Sequence, residues 1–218
     1  MFLDHQIGNE IAPYIKAKTQ PSPRLLKTHL QKHQLPPQIF AKKAKVIFVS
    51  RNPKDTAVSY FNFHLGVVDL PKYTWQDFLH SFCIGDVVYG SWFEMNTYWW
   101  SQRTQKNVLF VKYEEMHQDL SSVILKVSKF LGWPVPDGKL ADIVLHCSFD
   151  SMKSNRKVNF SEHPLMNIES YPFMRKGIVG DWIHYFTKTQ TEKFDELYEH
   201  KMQNTGLQFE YISKTICV

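Results

Sequence analysis

Little in this sequence points away from an ordinary folded interior. The three cysteines, Cys83, Cys147 and Cys217, are odd in number, far apart and without metal-ligand spacing. That argues against a disulfide framework or a zinc site and for free thiols in a reducing compartment. Cys217 is next to last and does not fit a C-terminal prenylation box, so none is expected. Met1-Phe2-Leu3-Asp4-His5 has no cationic stretch followed by an apolar one, so no secretory leader is expected. Apolar runs such as Val46-Ile47-Phe48-Val49 are too short to span a bilayer. Asn159-Phe160-Ser161 matches a glycosylation acceptor, but without a secretory route the match is taken as chance. Internal repeats, low-complexity tracts and long blocks of like charge are missing. So is any G-x-x-x-x-G-K-[ST] segment, which excludes the usual ATP or GTP loop. These absences lead us to expect a cytoplasmic chain with no membrane partner and no metal.

What is present suits one domain over residues 1–218. Hydrophobic residues make up 43%, aromatics 15% and charged residues 22%, the balance of a globular chain rather than a disordered one. The net charge of +5 favours anionic partners, but the basic residues are spread along the chain and better suit a solvated cationic surface.

Residues 1–20 read as a helical or irregular entry, which Pro21-Ser22-Pro23 interrupts. Residues 24–29 read as a short strand. The continuous apolar run 45–50 suits a strand buried in a parallel sheet. Asn52-Pro53 is a helix-start signal for residues 53–64. Helical spacing recurs over 75–82, 90–102, 120–131 (stopped by Gly132) and 139–146, and a second buried strand is expected over 107–113. The tryptophans and tyrosine of 92–100 fit core better than a base-stacking platform. Residues 150–179 are polar and irregular, a length that marks function or disorder. Thr189 and Glu192 form a capping box for a last helix ending near Gly206. Strand, tight turn and helix in this order indicate an α/β domain.

Three segments carry candidate chemistry. Arg51 ends a buried strand just before a helix N-terminus, a place whose unpaired N–H groups and dipole suit a phosphate. Its forked, permanent charge fits that ligand, although pairing with a nearby carboxylate explains it as well. Lys27 and His29 stand two apart and share one face of a strand, a cation and a titratable ring suited to proton transfer near a negative centre. His29 is one of ten histidines, however, and most are structural. Arg175-Lys176-Gly177, with Gly180, could close on a phosphate or form an exposed basic loop.

Taken together and in order, the segments resemble the cytosolic sulfotransferases. Lys27-Thr28-His29-Leu30 is similar to the family's lysine–serine/threonine–histidine–leucine box. Arg51-Asn52-Pro53-Lys54-Asp55-Thr56-Ala57-Val58-Ser59-Tyr60 resembles its 3′-phosphate box. Arg175-Lys176-Gly177-Ile178-Val179-Gly180-Asp181-Trp182 resembles its closing RKGxxGDW signature. Tyr89-Gly90-Ser91-Trp92 and Val111-Lys112-Tyr113-Glu114-Glu115-Met116 fall where comparable segments do. Pro21-Ser22-Pro23-Arg24 and the prolines after His29 are similar to the 6B subfamily.

The resemblance implies a P-loop-NTPase-like sulfotransferase fold, a parallel sheet flanked by helices. It implies sulfuryl transfer from 3′-phosphoadenosine 5′-phosphosulfate (PAPS) to a hydroxyl or amine of a small acceptor, without metal. His29 would be the general base, and Lys27 would favour departure of the nucleotide. Arg51 and Ser59 would hold the 3′-phosphate, and Arg175, Lys176 and Gly177 would close over it. Tyr113, Cys147 and Phe149 match positions near the adenine, and Phe173 and Met174 flank the nucleotide.

The departures set further expectations. The family's strand–loop–helix with a TYPKSGTTW-like segment belongs before Pro21, and residues 1–20 do not resemble it. The chain is therefore expected to lack the first strand and the sulfate-binding loop, and to show little or no transfer as residues 1–218 alone. Gln31 follows Leu30 where the family commonly has proline. Cys147 stands where threonine is common. The dimer motif keeps Thr187 and Glu192 but has Ile183 and Lys188 in place of lysine and valine, so a homodimer would need another mode. The competing readings are a catalytically silent nucleotide-binding or interaction protein derived from the same fold and, last, a nucleic-acid module, for which no motif is present.

Overall fold

Two apolar runs make the sheet. Val46–Ser50 (β1) and Val108–Lys112 (β2) pair in parallel, Val46 opposite Val108 through Ser50 opposite Lys112. The computed structural model describes residues 13–41 and 44–213. Around the sheet, in chain order, lie α1 (Pro13–Thr19), a 3₁₀ turn (Lys32–Gln34), α2 (Gln38–Ala41), α3 (Pro53–Gly66), α4 (Trp75–Ile84) and α5 (Trp92–Ser101). After β2 come α6 (Tyr113–Gln118), α7 (Leu120–Leu131), α8 (Leu140–His146), α9 (Phe149–Ser154), a 3₁₀ turn (Asp181–His184) and α10 (Lys188–Met202). The architecture is α/β, a parallel sheet flanked by helices.

Local chemistry explains most boundaries. Asn52 caps α3, its side chain accepting from Asp55 N, with Pro53 at the first helical position. Thr74 and Ser91 cap α4 and α5 in the same way. Gly85 and Gly132 end α4 and α7 in the left-handed conformation. The buried apolar side chains, among them Val58, Phe78, Phe82, Phe93, Trp99 and Phe194, form one cluster between the sheet and α3, α4, α5 and α10. The tryptophans of α5 belong to that packing.

Three expectations change. Residues 24–29 do not form a strand: Lys27 alone enters a bridge, and Leu25 is 85% exposed, so the apolar side chains there find no face to cover. The final helix uses Thr187 and Gln190 as its capping box and ends at Met202, because the extended backbone needed at a cap occurs at Thr187. Residues 150–154 of the long polar stretch are helical, within a helix that starts at Phe149 with Ser148 as cap. The expected entry segment falls within the described residues only from Pro13. Cys217 lies outside them. Among the described residues, no helix is long and apolar enough to cross a membrane.

Candidate active site

The end of β1 is built from buried polar groups. Asn52 donates its backbone N–H to Glu114 Oε1 (2.8 Å) and its Nδ2 to the same oxygen (3.0 Å) and to Asp55 Oδ2 (2.9 Å). Glu114 is only 3% exposed, and burial pushes its carboxyl above the usual range against the bonds from Asn52. Arg51 lies over the Tyr113 ring at 4.5 Å, donates Nη2 to Ile178 O (2.7 Å) and stands 3.4 Å from Asp55 Oδ2. Its Nε is buried with no hydrogen-bond partner. Burial raises the Tyr113 phenol pKa, and the Arg51 charge opposes that rise.

The basic glycine loop docks on this frame. Asp55, 1% exposed, accepts from Gly180 N (2.8 Å) and Trp182 N (3.0 Å). Arg175 and Lys176 each reach a different oxygen of buried Asp181 at 2.5 Å. Burial pushes the Asp181 carboxyl up, but the hydrogen bonds from Lys176 and Arg175 outweigh it and hold the group below the ordinary aspartate value. Gly177 has φ +68°, and a Cβ there would lie 2.3 Å from the Phe149 ring, so Phe149 packs directly on the loop backbone. Lys54, buried, pairs with Asp195 (2.7 Å) and sits 4.3 Å over Trp182.

The loop also runs back along α3. Asn167 N donates to Gly66 O (2.8 Å), Phe173 meets Phe63 edge-on at 6.4 Å, and Gly180 reaches Asp55. Asp55, Ser59 and Phe63 recur at i+4 along α3 and share one face, with Arg51 just ahead of the helix. Ser59 lies between the two anchors and remains exposed. The anchors stand eight residues apart, about 12 Å of helix. Phe173 also packs on Phe160 (4.4 Å), and Met174 is half-buried. Cys147 is half-buried at the C-cap of α8, two residues before Phe149.

His29 reaches the same helix from the other side. Its ring stacks on Tyr89 at 4.6 Å and 26°, and Tyr89 stacks on Tyr60 at 6.0 Å, whose hydroxyl accepts from Tyr89 N (3.2 Å). Tyr60 follows Ser59 in α3, so neighbouring residues of one helix face the basic loop and the histidine. Lys27 is exposed.

Arg51, Tyr113, Phe149, Gly177, Arg175 and Lys176 are thus brought together around the end of β1. Phe173 lies toward the far end of α3, and His29 and Lys27 lie beyond Tyr89. Sequence reasoning did not single out the carboxylates Asp55, Glu114 and Asp181. Two had a signal: Asp55 is four residues from Arg51, and Asp181 is five from Lys176. At the dimer segment, Thr187 serves as a helix cap and Lys188 lies 4.0 Å from Glu192 within the chain.

The family described as "Sulfotransferase domain" matches residues 10–206. Sulfotransferase 1B1 of Mus musculus is 45% identical over 196 residues, covering 88% of this chain. The chain spans 65% of the length of that relative. Sulfotransferase 1C2 of Homo sapiens is 41% identical, with 89% and 67% of the two chains covered. Among solved structures, mouse sulfotransferase SULT7A1 complexed with PAP is 42% identical with a TM-score of 0.80, over 89% of this chain and 71% of that one. Retinol dehydratase in complex with androsterone and inactive cofactor PAP is 27% identical with a TM-score of 0.84, over 92% and 59%.

Proposed function

Because the chain belongs to the sulfotransferase family, we propose that it transfers a sulfuryl group from PAPS to a hydroxyl or amine of a small acceptor, with His29 as general base. The observation that carries the reading is the orphaned Nε of Arg51, a buried donor where the end of β1, the first turn of α3 and the glycine loop meet. A buried donor of this kind is costly unless an acceptor completes it, and a phosphate oxygen suits it. The residues present therefore fit the nucleotide, and two structural neighbours carry PAP.

In this reading Arg51 and Ser59 hold the 3′-phosphate. Arg175 and Lys176 close over it, each keeping donors beyond the one given to Asp181. Gly177 permits the close backbone approach, and Tyr113, Cys147 and Phe149 border the adenine, with Phe173 and Met174 at its flank. Bound PAPS supplies the sulfuryl group and a stable leaving group. His29, neutral, takes the acceptor's proton, and Lys27 offsets negative charge nearby. Fixed orientation of acceptor and base supplies the remaining advantage.

Two assays test this. Adenosine 3′,5′-bisphosphate should raise the Tm, because it binds the native state. Radiolabelled sulfate should pass to some phenol, alcohol or amine only at the low level expected of residues 1–218 alone, and His29→Ala should abolish that transfer while leaving the Tm response intact. A Tm response without transfer would favour the catalytically silent nucleotide-binding protein, and no response at all would overturn both readings.

A further inference from the structure

We infer that Gln31 is a positioning residue, whose carboxamide latches the histidine segment to the Tyr89–Ser91 backbone and so holds the His29 ring against Tyr89. The inference rests on the proposed role of His29 for its functional meaning, but its geometry does not depend on it.

Gln31 is buried at 9% exposure, although residues 21–27 just before the histidine box are exposed. A long polar side chain is buried when its donors are used. Nε2 donates to Tyr89 O at 2.6 Å and to Ser91 O at 3.3 Å. Both amide protons thus meet carbonyls on either side of Gly90. Gly90 has φ +69°, and a Cβ there would come within 3.0 Å of Nε2, so the glycine is what lets that backbone close on the carboxamide. Two residues before Gln31, the His29 ring stacks on the side chain of the same Tyr89. One side chain therefore grips the backbone of the residue whose ring supports the histidine.

The backbone at position 31 is fixed independently. Gln31 N donates to Gln34 Oε1 (2.9 Å), and Gln34 N donates to Gln31 O (2.9 Å). Gln31 has φ −66°, the angle a proline ring imposes. A proline would match that angle but would lose the N–H given to Gln34 and leave the two carbonyls of Tyr89 and Ser91 without this donor. Leu30 N donates to Thr28 Oγ1 (3.0 Å), which fixes the step between His29 and the latch. The reach from histidine to anchor is short and set at both ends, so loss of the carboxamide should free the ring from its stack.

The test uses histidine-selective NMR of the whole chain, with His29→Ala assigning the His29 ring resonances. In the parent protein those resonances should lie upfield, displaced by the Tyr89 ring, and Gln31→Leu, which keeps the size and removes the donors, should return them to the position of an exposed histidine. Gly90→Ala, which presses on the same carboxamide from the far side, does likewise and serves if the first variant does not fold. Where transfer is measurable, kcat falls by up to about 100-fold while KM for PAPS holds, as expected for a misplaced base. Retention of the upfield shift in folded Gln31→Leu would overturn the latch. The bisphosphate Tm response separates this result from the fate of the functional reading: its absence in the parent protein would sink the nucleotide site and leave the NMR result standing.

Discussion

The two halves of the candidate site are held in opposite ways. At the end of β1, Asn52, Asp55, Glu114 and Asp181 are all buried, and each is bonded to at least one other segment or to a cation of the glycine loop. The histidine segment crosses the surface with residues 21–27 exposed and is fastened through a carboxamide and a ring stack. Gripping an anion needs donors that stay fixed, because their value lies in charge arranged in advance. On the proposed reading, a base that only has to meet a small acceptor can sit on a lighter mount.

That contrast predicts unequal costs. The largest belongs to Asp55→Ala, which removes an acceptor shared by Gly180, Trp182 and Asn52 and leaves Arg51 without its carboxylate. We expect a loss of about 3–5 kcal/mol in urea unfolding. A loss under about 1 kcal/mol would show that the frame is not what fixes the loop. Gly177→Ala comes next: the positive φ costs about 1–3 kcal/mol, and the new methyl meets the Phe149 ring. The bisphosphate Tm response should vanish with it.

In the last turn of α3, His64 is buried among Tyr60, Tyr73 and Phe78, and burial pushes its imidazole below the ordinary value. A depressed folded pKa means that the unfolded chain binds the proton more readily. The stability His64 contributes is therefore present above the unfolded value of about 6.5 and lost as pH falls through the folded one. His64→Phe should flatten the stability profile on the acid side of neutrality, and an unchanged slope would contradict the assignment. The smallest effect belongs to Arg24→Ala in the histidine segment. Its Nη1 bond to Ala17 O (2.6 Å) ties an exposed stretch to α1, and its removal should cost about 0.5–1.5 kcal/mol.

The sequence was most legible where local rules decide. The run Val46 to Ser50 followed by Asn52-Pro53 named β1 and α3 because an apolar β-branched run and an N-cap each leave a mark in the residues themselves. Gly132 marked the end of α7 for the same reason. The expected burial of β1 did not follow, since Val49 is 54% exposed and only Ser50 is buried. Residues 24–29 misled, since so short a segment becomes a strand only where a neighbour pairs with it and covers it, and Leu25 is 85% exposed. Thr187 outcompeted Thr189 as a cap because the chain leaves the Asp181–His184 turn extended there. Within the site the cations were visible by their motifs. Of the carboxylates that aim them, Asp55 and Asp181 carried only their spacing from Arg51 and Lys176, and a buried Glu114 looks in sequence like any surface acid. Gln31 was visible as a departure from the family's proline, but its partners, some 60 residues away, were not.

The most direct test of the strand-end site compares two ligands that differ by one group. Calorimetric titration should show adenosine 3′,5′-bisphosphate binding at least about tenfold more tightly than adenosine 5′-monophosphate, the worth of a charge-assisted contact. Arg51→Met should erase that preference. Equal affinity for the two nucleotides in the parent protein would contradict a 3′-phosphate site at Arg51.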